Sequence, residues 1–340
     1  MELRPLGRSG LRVSALSLGA MTFGESRTFM RGVTSPDDEA RRVFDRAIDA
    51  GVNLVDTANV YSEGRSEVLT GEWIAGKRDR VLLATKCRFP MGMSTRGVGP
   101  HAYGLSRKHI VEACEASLKR LNTDRIDLYQ VHMQDRLVPI AETLRALDDL
   151  QRAGKIVYAG CSNYAGYRLV ESLWQSEVKG TLRFESVQFQ WSLACRDAER
   201  EVVPACREFG LGALVWSPLA RGFLTGKYQR NQPPPAGTRL DAWRDSFRAY
   251  DNDKMWALVD VLRAVAARHE TTPGAVALAW LLAQPVTTSV IVGARDEKQL
   301  DDNLVGASLK LSPESLSELN AASQLDWGYP YSFIAVREPW

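Results

Sequence analysis

The sequence predicts an α/β fold: a (β/α)8 TIM barrel with an N-terminal β-hairpin and long βα loops, one unit spanning residues 1–340. Three observations predict it. Short apolar strands alternate with longer amphipathic helices along the chain, which is the βαβ pattern. The strands are continuous Val/Ile/Leu-rich runs, so both of their faces are buried and they run parallel. Eight strand–helix units can be counted, the number that closes into a barrel. A doubly wound sheet is the rival, but the Gly-rich fingerprint after its first strand is missing, "LGAMTFG" holding only part of a glycine pattern.

Ahead of the first unit, "ELRPLGRSGLRVSA" alternates around Ser9-Gly10 and reads as a hairpin able to cover the bottom of the barrel. The first strand is "ALSLG" (15–19). Ser35-Pro36-Asp37-Asp38 then opens a helix to Ala50, with a capping Ser, Pro at its first position, acids in its first turn and Gly51 beyond its end. Strand "VNLVD" and a helix near 66–76 follow, then strand "VLLATK" and a helix from Ser106 to Leu121. Strand "IDLYQVH" precedes a helix near 139–153, strand "IVYAGCS" one near 166–177, and strand "SVQFQ" one near 197–209. Strand "ALVWS" leads through a long insertion to a helix near 254–269; a helix near 273–283, strand "TSVIVG" and a helix near 296–306 close the series.

Composition narrows the function classes. Hydrophobic residues make up 45% and charged residues 25% of the chain, proportions that support a sizeable folded core. The formal charge of +2 is nearly balanced and the basic residues are scattered, so a nucleic-acid footprint is absent and small molecules are the expected partners. The start "MELRPLGRSG" lacks the apolar core of a signal peptide, and "AVALAWLLAQPV" is too short to span a bilayer, so a cytoplasmic protein without a membrane association is expected. Five cysteines without CxxC spacing read as reduced core thiols and not as a disulfide or metal framework. Nothing in the sequence speaks to the oligomeric state.

In such a barrel the C-terminal strand ends form one mouth, where chemistry sits. Asp56, Lys86 and His132 each end a strand, on three consecutive units, and Tyr61 lies in the loop above the first of them. Taken singly, Asp56 reads as a turn cap, Tyr61 as a half-buried loop aromatic and His132 as a satisfied core histidine. Lys86 is harder to absorb, because a lysine rarely ends a buried strand unpaired. Together they define a proton donor. A lysine cation beside the phenol would lower its pKa from about 10, Asp56 would hold that lysine charged, and His132 could donate a hydrogen bond to a carbonyl oxygen.

At these residues the sequence resembles the aldo-keto reductase family, with "DTANVY", "LLATK" and "LYQVH" matching its Asp, Tyr, Lys and His motifs in order and strand position. The likeness extends over nearly the whole chain. "LGRSGLRVSALSLGAMTFG" is similar to the family's opening, "GKIVYAGCSNY" to its fifth strand, and "WSPLARGFLTGKY" to the seventh strand and loop of its sugar-reductase and potassium-channel-β-subunit branches. The resemblance implies reduction of a small-molecule aldehyde or ketone with NADP(H) bound across the barrel mouth, and Asp56, Tyr61, Lys86 and His132 as the catalytic tetrad. It implies cofactor contacts from Ala20 and Met21, from Asp56, from Ser162, Asn163 and Gln188 around the nicotinamide carboxamide, and from Trp216 stacked on the ring, where many members carry Tyr. Ser217, Leu219, Arg221 and Lys227 fall on the phosphate loop. Gly293, Ala294 and Arg295 fall at a strand–helix junction that favours an anion, with Arg295 facing the 2′-phosphate and Gln299, Asp302 and Asn303 the adenosine. A Gly-Ala pair replaces the Lys-Ser of some branches, so NADP preference rests on Arg295.

Loops 22–35, 88–105 and 229–247 are long for such a fold and read as substrate-side lids, and the tail "QLDWGYPYSFIAVREPW" either walls the pocket or packs on the barrel's outer surface. Two other function classes stay open. A nucleotide-sensing regulatory subunit would share the fold without needing His132, and a barrel aldolase would use Lys86 as a Schiff-base nucleophile, which Asp56 disfavours by holding it charged.

Overall fold

Two short strands, β1 (Leu3–Pro5) and β2 (Arg12–Ser14), pair antiparallel ahead of a closed barrel of eight parallel strands. The barrel strands are β3 (Leu16–Gly19), β4 (Leu54–Asp56), β5 (Leu82–Cys87), β6 (Ile126–Val131), β7 (Ile156–Ser162), β8 (Phe184–Gln190), β9 (Gly212–Trp216) and β10 (Thr287–Val292). Each pairs with the next in sequence and β10 returns to β3. This computed structural model describes residues 1–337; the last three residues of the aromatic tail, 338–340, lie outside it.

Helices α1 (Asp37–Asp49), α2 (Arg65–Ile74), α3 (Arg107–Leu121), α4 (Ile140–Arg152), α5 (Gly166–Lys179) and α6 (Val202–Phe209) occupy successive crossovers. The crossover from β9 to β10 is the long one, with α7 (Arg239–Ala242), α8 (Arg244–Tyr250), α9 (Asp253–Arg268) and α10 (Pro273–Leu282). After β10 come α11 (Glu297–Ser308), α12 (Pro313–Ala322) and α13 (Tyr331–Ala335). Local signals set most of these boundaries: Ser106, Asn252, Thr272, Asp296 and Ser312 each accept a backbone N–H as N-caps. Among the described residues no helix is long and apolar enough to cross a membrane.

Period-two alternation sorts each barrel strand into two faces. Outward residues such as Val55, Leu83, Tyr129, Val187 and Val215 join the helices in one continuous core. Inward residues Leu54, Ala84, Leu128, Leu214 and Ile291 fill the barrel's lower layer together with Leu6 and Val13 of the hairpin. Full burial of each such aliphatic side chain contributes roughly 1.5–3 kcal/mol. One position on the inward face has no room for a side chain: a Cβ on Gly160 would lie 2.6 Å from Ser186 Oγ and 3.3 Å from Gln130 Cγ. Above the apolar layer the inward series turns polar, and that change places the site.

Two local expectations are corrected, and four helices are added to the expected series. The hairpin pairs Leu3 with Ser14 and Pro5 with Arg12, so its turn spans Gly7–Gly10 instead of centring on Ser9-Gly10. Gly7 takes the positive φ of +59°, and the hairpin seats against Glu185, Gly210 and Gly212 at the bottom, as its position predicts. Ser35 does not cap α1. Pro36 is the N-cap, and the Ser35 hydroxyl donates to the Arg295 carbonyl at 3.2 Å. Finally, α7, α8, α12 and α13 were not legible, being short or outside the eight-unit repeat.

Candidate active site

The inward positions above the apolar layer are Asp56 on β4, Lys86 and Gln130 on β5 and β6, and Gln188 on β8, all buried. They form one hydrogen-bonded group. Lys86 Nζ donates to Asp56 Oδ2 at 2.6 Å and to the Thr57 carbonyl at 2.9 Å. The other Asp56 oxygen accepts from Gln130 Nε2 at 3.1 Å and Gln188 Nε2 at 2.9 Å. Asp56 therefore does not cap a turn; it is the hub of the barrel's polar layer.

Tyr61 hangs over this layer from the turn after β4. Its hydroxyl lies 3.4 Å from Lys86 Nζ, and the ammonium lies 5.0 Å from the ring centre. Left-handed backbone at Ser62, Glu63 and Gly64 folds the chain back directly after it. Side chains offset that strain: Ser62 Oγ donates to the Gly24 carbonyl at 2.9 Å, and Glu63 accepts from Ser26 Oγ, Arg27 N and the Thr28 hydroxyl. The same contacts tie the 22–35 loop to the tyrosine. Phe29 and Phe89 pack with Met21 around Tyr61, Ala58 and Val60, giving an apolar wall.

His132 continues the inward series two residues past Gln130. Its ring centre is 5.8 Å from that of Tyr61 and 4.9 Å from that of Phe89, both near edge-on. Nδ1 is buried without a hydrogen-bond partner.

Burial and charge act against each other here. Burial raises the Tyr61 pKa above its usual 10, and the opposing pull of Lys86 does not cancel it. This corrects the lowered value expected from the sequence: the phenol is held protonated. Burial alone would lower Lys86, but Asp56 and then Tyr61 outweigh it and the pKa is raised, so Lys86 is a cation and not a free amine nucleophile. His132 is pushed well below 6.5, first by burial and then by the Lys86 and Arg88 charges, and is neutral. The thiols next to the site face away: Cys87 and Cys161 point outward between inward neighbours, and burial raises both, Cys87 to about 12.

Of the expected cofactor residues other than Asp56, contacts join Ser162, Asn163, Gln188 and Trp216 to this centre, and the others stand on the segments that follow β3, β9 and β10. Ala20 and Met21 form the turn after β3, where the Ala20 carbonyl accepts from Ser66 Oγ at 2.7 Å. Asn163, at φ +53°, donates to the His132 carbonyl and to Ser162 Oγ, both at 2.9 Å, and accepts from Trp216 Nε1 at 3.2 Å. Ser217 has φ +56° and a buried hydroxyl without a partner. Leu219 is half-buried against the core, and Arg221 lies 5.2 Å from the Trp243 ring and bonds Ser246.

Beyond them stands a cluster of cations. Burial, then the Arg295 charge, lowers the Arg239 pKa to about 10. Lys227, next to Gly222, is likewise lowered by desolvation and by Arg295 and Arg239, although much of its side chain reaches solvent. Mutually repelling cations at one place are a donor set suited to a phosphate-bearing ligand.

Gly293 is exposed and Ala294 buried at the start of the last junction; Arg295 Nη1 donates to the Gly237 carbonyl at 2.8 Å, and its backbone N–H to Gln299 Oε1 at 3.3 Å. Asn303 is buried, whereas Asp302 pairs with Lys298 at 3.2 Å along the solvent side of α11.

Sequence reasoning missed Gln130, Arg239, Trp243 and Ser246. Gln130 was signalled by its inward place in "LYQVH", two residues before His132. The other three lie in the 229–247 segment, which reads as a substrate lid but is fastened through Arg295, Arg221 and Ser246 to the cationic side. In the tail, Trp327 and Asp326 carbonyls meet Arg200, and Tyr331 donates to Glu201 at 2.6 Å, leaving Tyr329 and Phe333 exposed.

Comparison with known proteins agrees with this geometry. Residues 15–324 match the model of the aldo/keto reductase family. The chain is 39% identical to the uncharacterized oxidoreductase YrpG of Bacillus subtilis, over 94% of this chain and 95% of that protein. It is 34% identical to a probable voltage-gated potassium channel subunit beta of Oryza sativa subsp. japonica (95% and 97%) and 33% identical to versiconal hemiacetal acetate reductase of Aspergillus parasiticus (94% and 96%).

Proposed function

Since this chain belongs to the aldo/keto reductase family, we propose that it reduces an aldehyde or ketone to the alcohol with NADPH, and that Tyr61 supplies the proton. The observation that carries this reading is the contact chain from Asp56 through Lys86 to the Tyr61 hydroxyl, buried at the barrel mouth. Bound NADPH would supply the hydride.

The chain's own groups do the rest. Tyr61, protonated at neutral pH, donates its O–H to the substrate oxygen. Lys86, held charged by Asp56, stabilises the phenolate left behind, and the group can then be reprotonated from solvent. Gln130 and Gln188 fix the second Asp56 oxygen, so the carboxylate cannot rotate away from the lysine. Neutral His132 donates a hydrogen bond to the same substrate oxygen and orients it without adding charge. Ser162, Asn163, Gln188 and Trp216 would hold the nicotinamide, and Ser217, Leu219, Arg221, Lys227, Gly293, Ala294, Arg295, Gln299, Asp302 and Asn303 the phosphates and adenosine. We read the protein as cytoplasmic.

The likeness to a channel β-subunit favours a second reading, an NADP(H)-sensing regulatory subunit with weak or no turnover. One substitution separates the two. Tyr61→Phe removes one oxygen from a ring that keeps its packing, so fold and NADPH affinity should persist while single-turnover oxidation of bound NADPH by an active carbonyl falls about 100-fold or more. Rates that agree within a few-fold, with chemistry limiting, would exclude Tyr61 as the acid.

A further inference from the structure

Arg88 has no part in the reaction as described, yet it stands at the mouth. On β5 the inward positions include Ala84, in the apolar layer, and Lys86, in the polar layer; Arg88 directly follows the strand's last residue, Cys87, half-buried in the turn at its C-terminal end and close enough to His132 for its charge to act there. Its backbone has φ +136°, a region that favours glycine, and the carbonyl is fixed by the Gly104 N–H at 2.8 Å. A side chain kept at such a position points to a use for it.

The guanidinium carbon lies 5.0 Å from the Phe89 ring centre, and Phe89 packs against both His132 and the Tyr61 cluster. Nε is buried without a hydrogen-bond partner, and among the described residues the guanidinium has no ion-pair partner. The Asp56 oxygens are committed to Lys86, Gln130 and Gln188, and those of Asp135, beside Gly104, accept the backbone N–H groups of Leu105 and Leu137. Among the described residues the positive charge of Arg88 is therefore without a paired carboxylate, and it is felt at His132. An unpaired, half-buried guanidinium beside an apolar wall of Met21, Phe29 and Phe89 is complementary to an apolar body that carries an anion.

We propose that Arg88 selects the substrate: it receives a carboxylate on the carbonyl compound, so that carboxylate-bearing aldehydes or ketones with an apolar or aromatic body are preferred over their neutral counterparts. This rests on the reductase reading above. The selection is an equilibrium binding term, so it should appear mainly in KM and only weakly in kcat.

The test compares 3- and 4-carboxybenzaldehyde with their methyl esters in NADPH oxidation by wild type, Arg88→Gly and Arg88→Lys. Glycine suits the backbone at 88, so the first variant should fold. In wild type, kcat/KM should favour at least one acid over its ester by about 10-fold or more, the scale of a charge-assisted contact. Arg88→Gly should abolish that ratio through KM, and Arg88→Lys should restore part of it. A ratio near one in wild type, or a preference that survives in Arg88→Gly, overturns the proposal.

A second measurement does not depend on turnover: titration calorimetry with 3- and 4-(hydroxymethyl)benzoate. At least one should bind wild type about 10-fold or more tighter than Arg88→Gly. If no aldehyde oxidises NADPH, the reductase reading fails, while this difference still decides whether Arg88 forms an anion site. Equal binding to the two proteins rejects it.

Discussion

Ionisation at single residues follows from burial measured against the nearest charge. His132 has no carboxylate to support its imidazolium; burial, Lys86 and Arg88 all act in one direction, and its folded pKa lies well below 6.5. Below pH 6.5 the unfolded chain therefore takes up a proton that the folded chain refuses, and stability falls as the pH drops through that window. The imidazole resonance identified by its absence in His132→Gln should stay unshifted between about pH 7.5 and 5.5. A titration centred near 6.5 would refute a neutral His132 and, with it, the role given to its N–H. The convergence of Asp56, Lys86 and His132 was legible because each stands at or just past the end of a hydrophobic strand run, with Tyr61 in the loop that follows the first. The direction of the Tyr61 shift was not, because it depends on Met21, Phe29 and Phe89 closing over the phenol, and two of those come from loops whose path the sequence does not display.

At the scale of elements, hydrophobic period located the strands and most helices to within a few residues, since each must bury a face. The long β9–β10 crossover was the least legible. Its short helices α7 and α8 carry no extended periodic pattern, and two arginines tether this segment: Arg295, beyond β10, holds the Gly237 carbonyl at 2.8 Å, and Arg221, near the start of the same crossover, holds Ser246. Arg295 thus has two roles under the proposed function, an anion contact and a tether for this segment. Arg295→Ala should weaken both NADPH and NADH through the tether, and NADPH by roughly 10- to 100-fold more through the lost charge-assisted contact to its 2′-phosphate. Tryptophan-fluorescence titration with each cofactor reads the ratio. Equal losses would leave the tether as the sole role of Arg295 and remove the basis for NADP preference.

Across the whole molecule, the barrel separates stability from chemistry: every polar group of the site lies above the layer formed by Leu54, Ala84, Leu128, Leu214 and Ile291, and the hairpin closes the opposite end. That arrangement is testable through two glycines of one turn. Gly7 has φ +59°, and a Cβ there would lie 2.4 Å from the Glu185 carbonyl oxygen and 2.8 Å from Gly212 N, backbone atoms that cannot yield cheaply. Gly10, in the same turn, has no positive φ, and its Cβ would meet nothing within 4 Å. Gly7→Ala therefore combines left-handed strain with displacement of the hairpin from the barrel floor, and should cost about 1–3 kcal/mol in urea unfolding. Gly10→Ala should be neutral or slightly stabilising, because it only narrows the unfolded ensemble. In folded protein at 25 °C, both variants should keep kcat within a few-fold of wild type, since neither changes the Asp56–Lys86–Tyr61 contacts at the far end of the barrel. A Gly7→Ala protein as stable as Gly10→Ala would show that the hairpin is not seated on Glu185 and Gly212. A large loss of kcat in fully folded Gly7→Ala would show instead that floor and mouth are mechanically coupled.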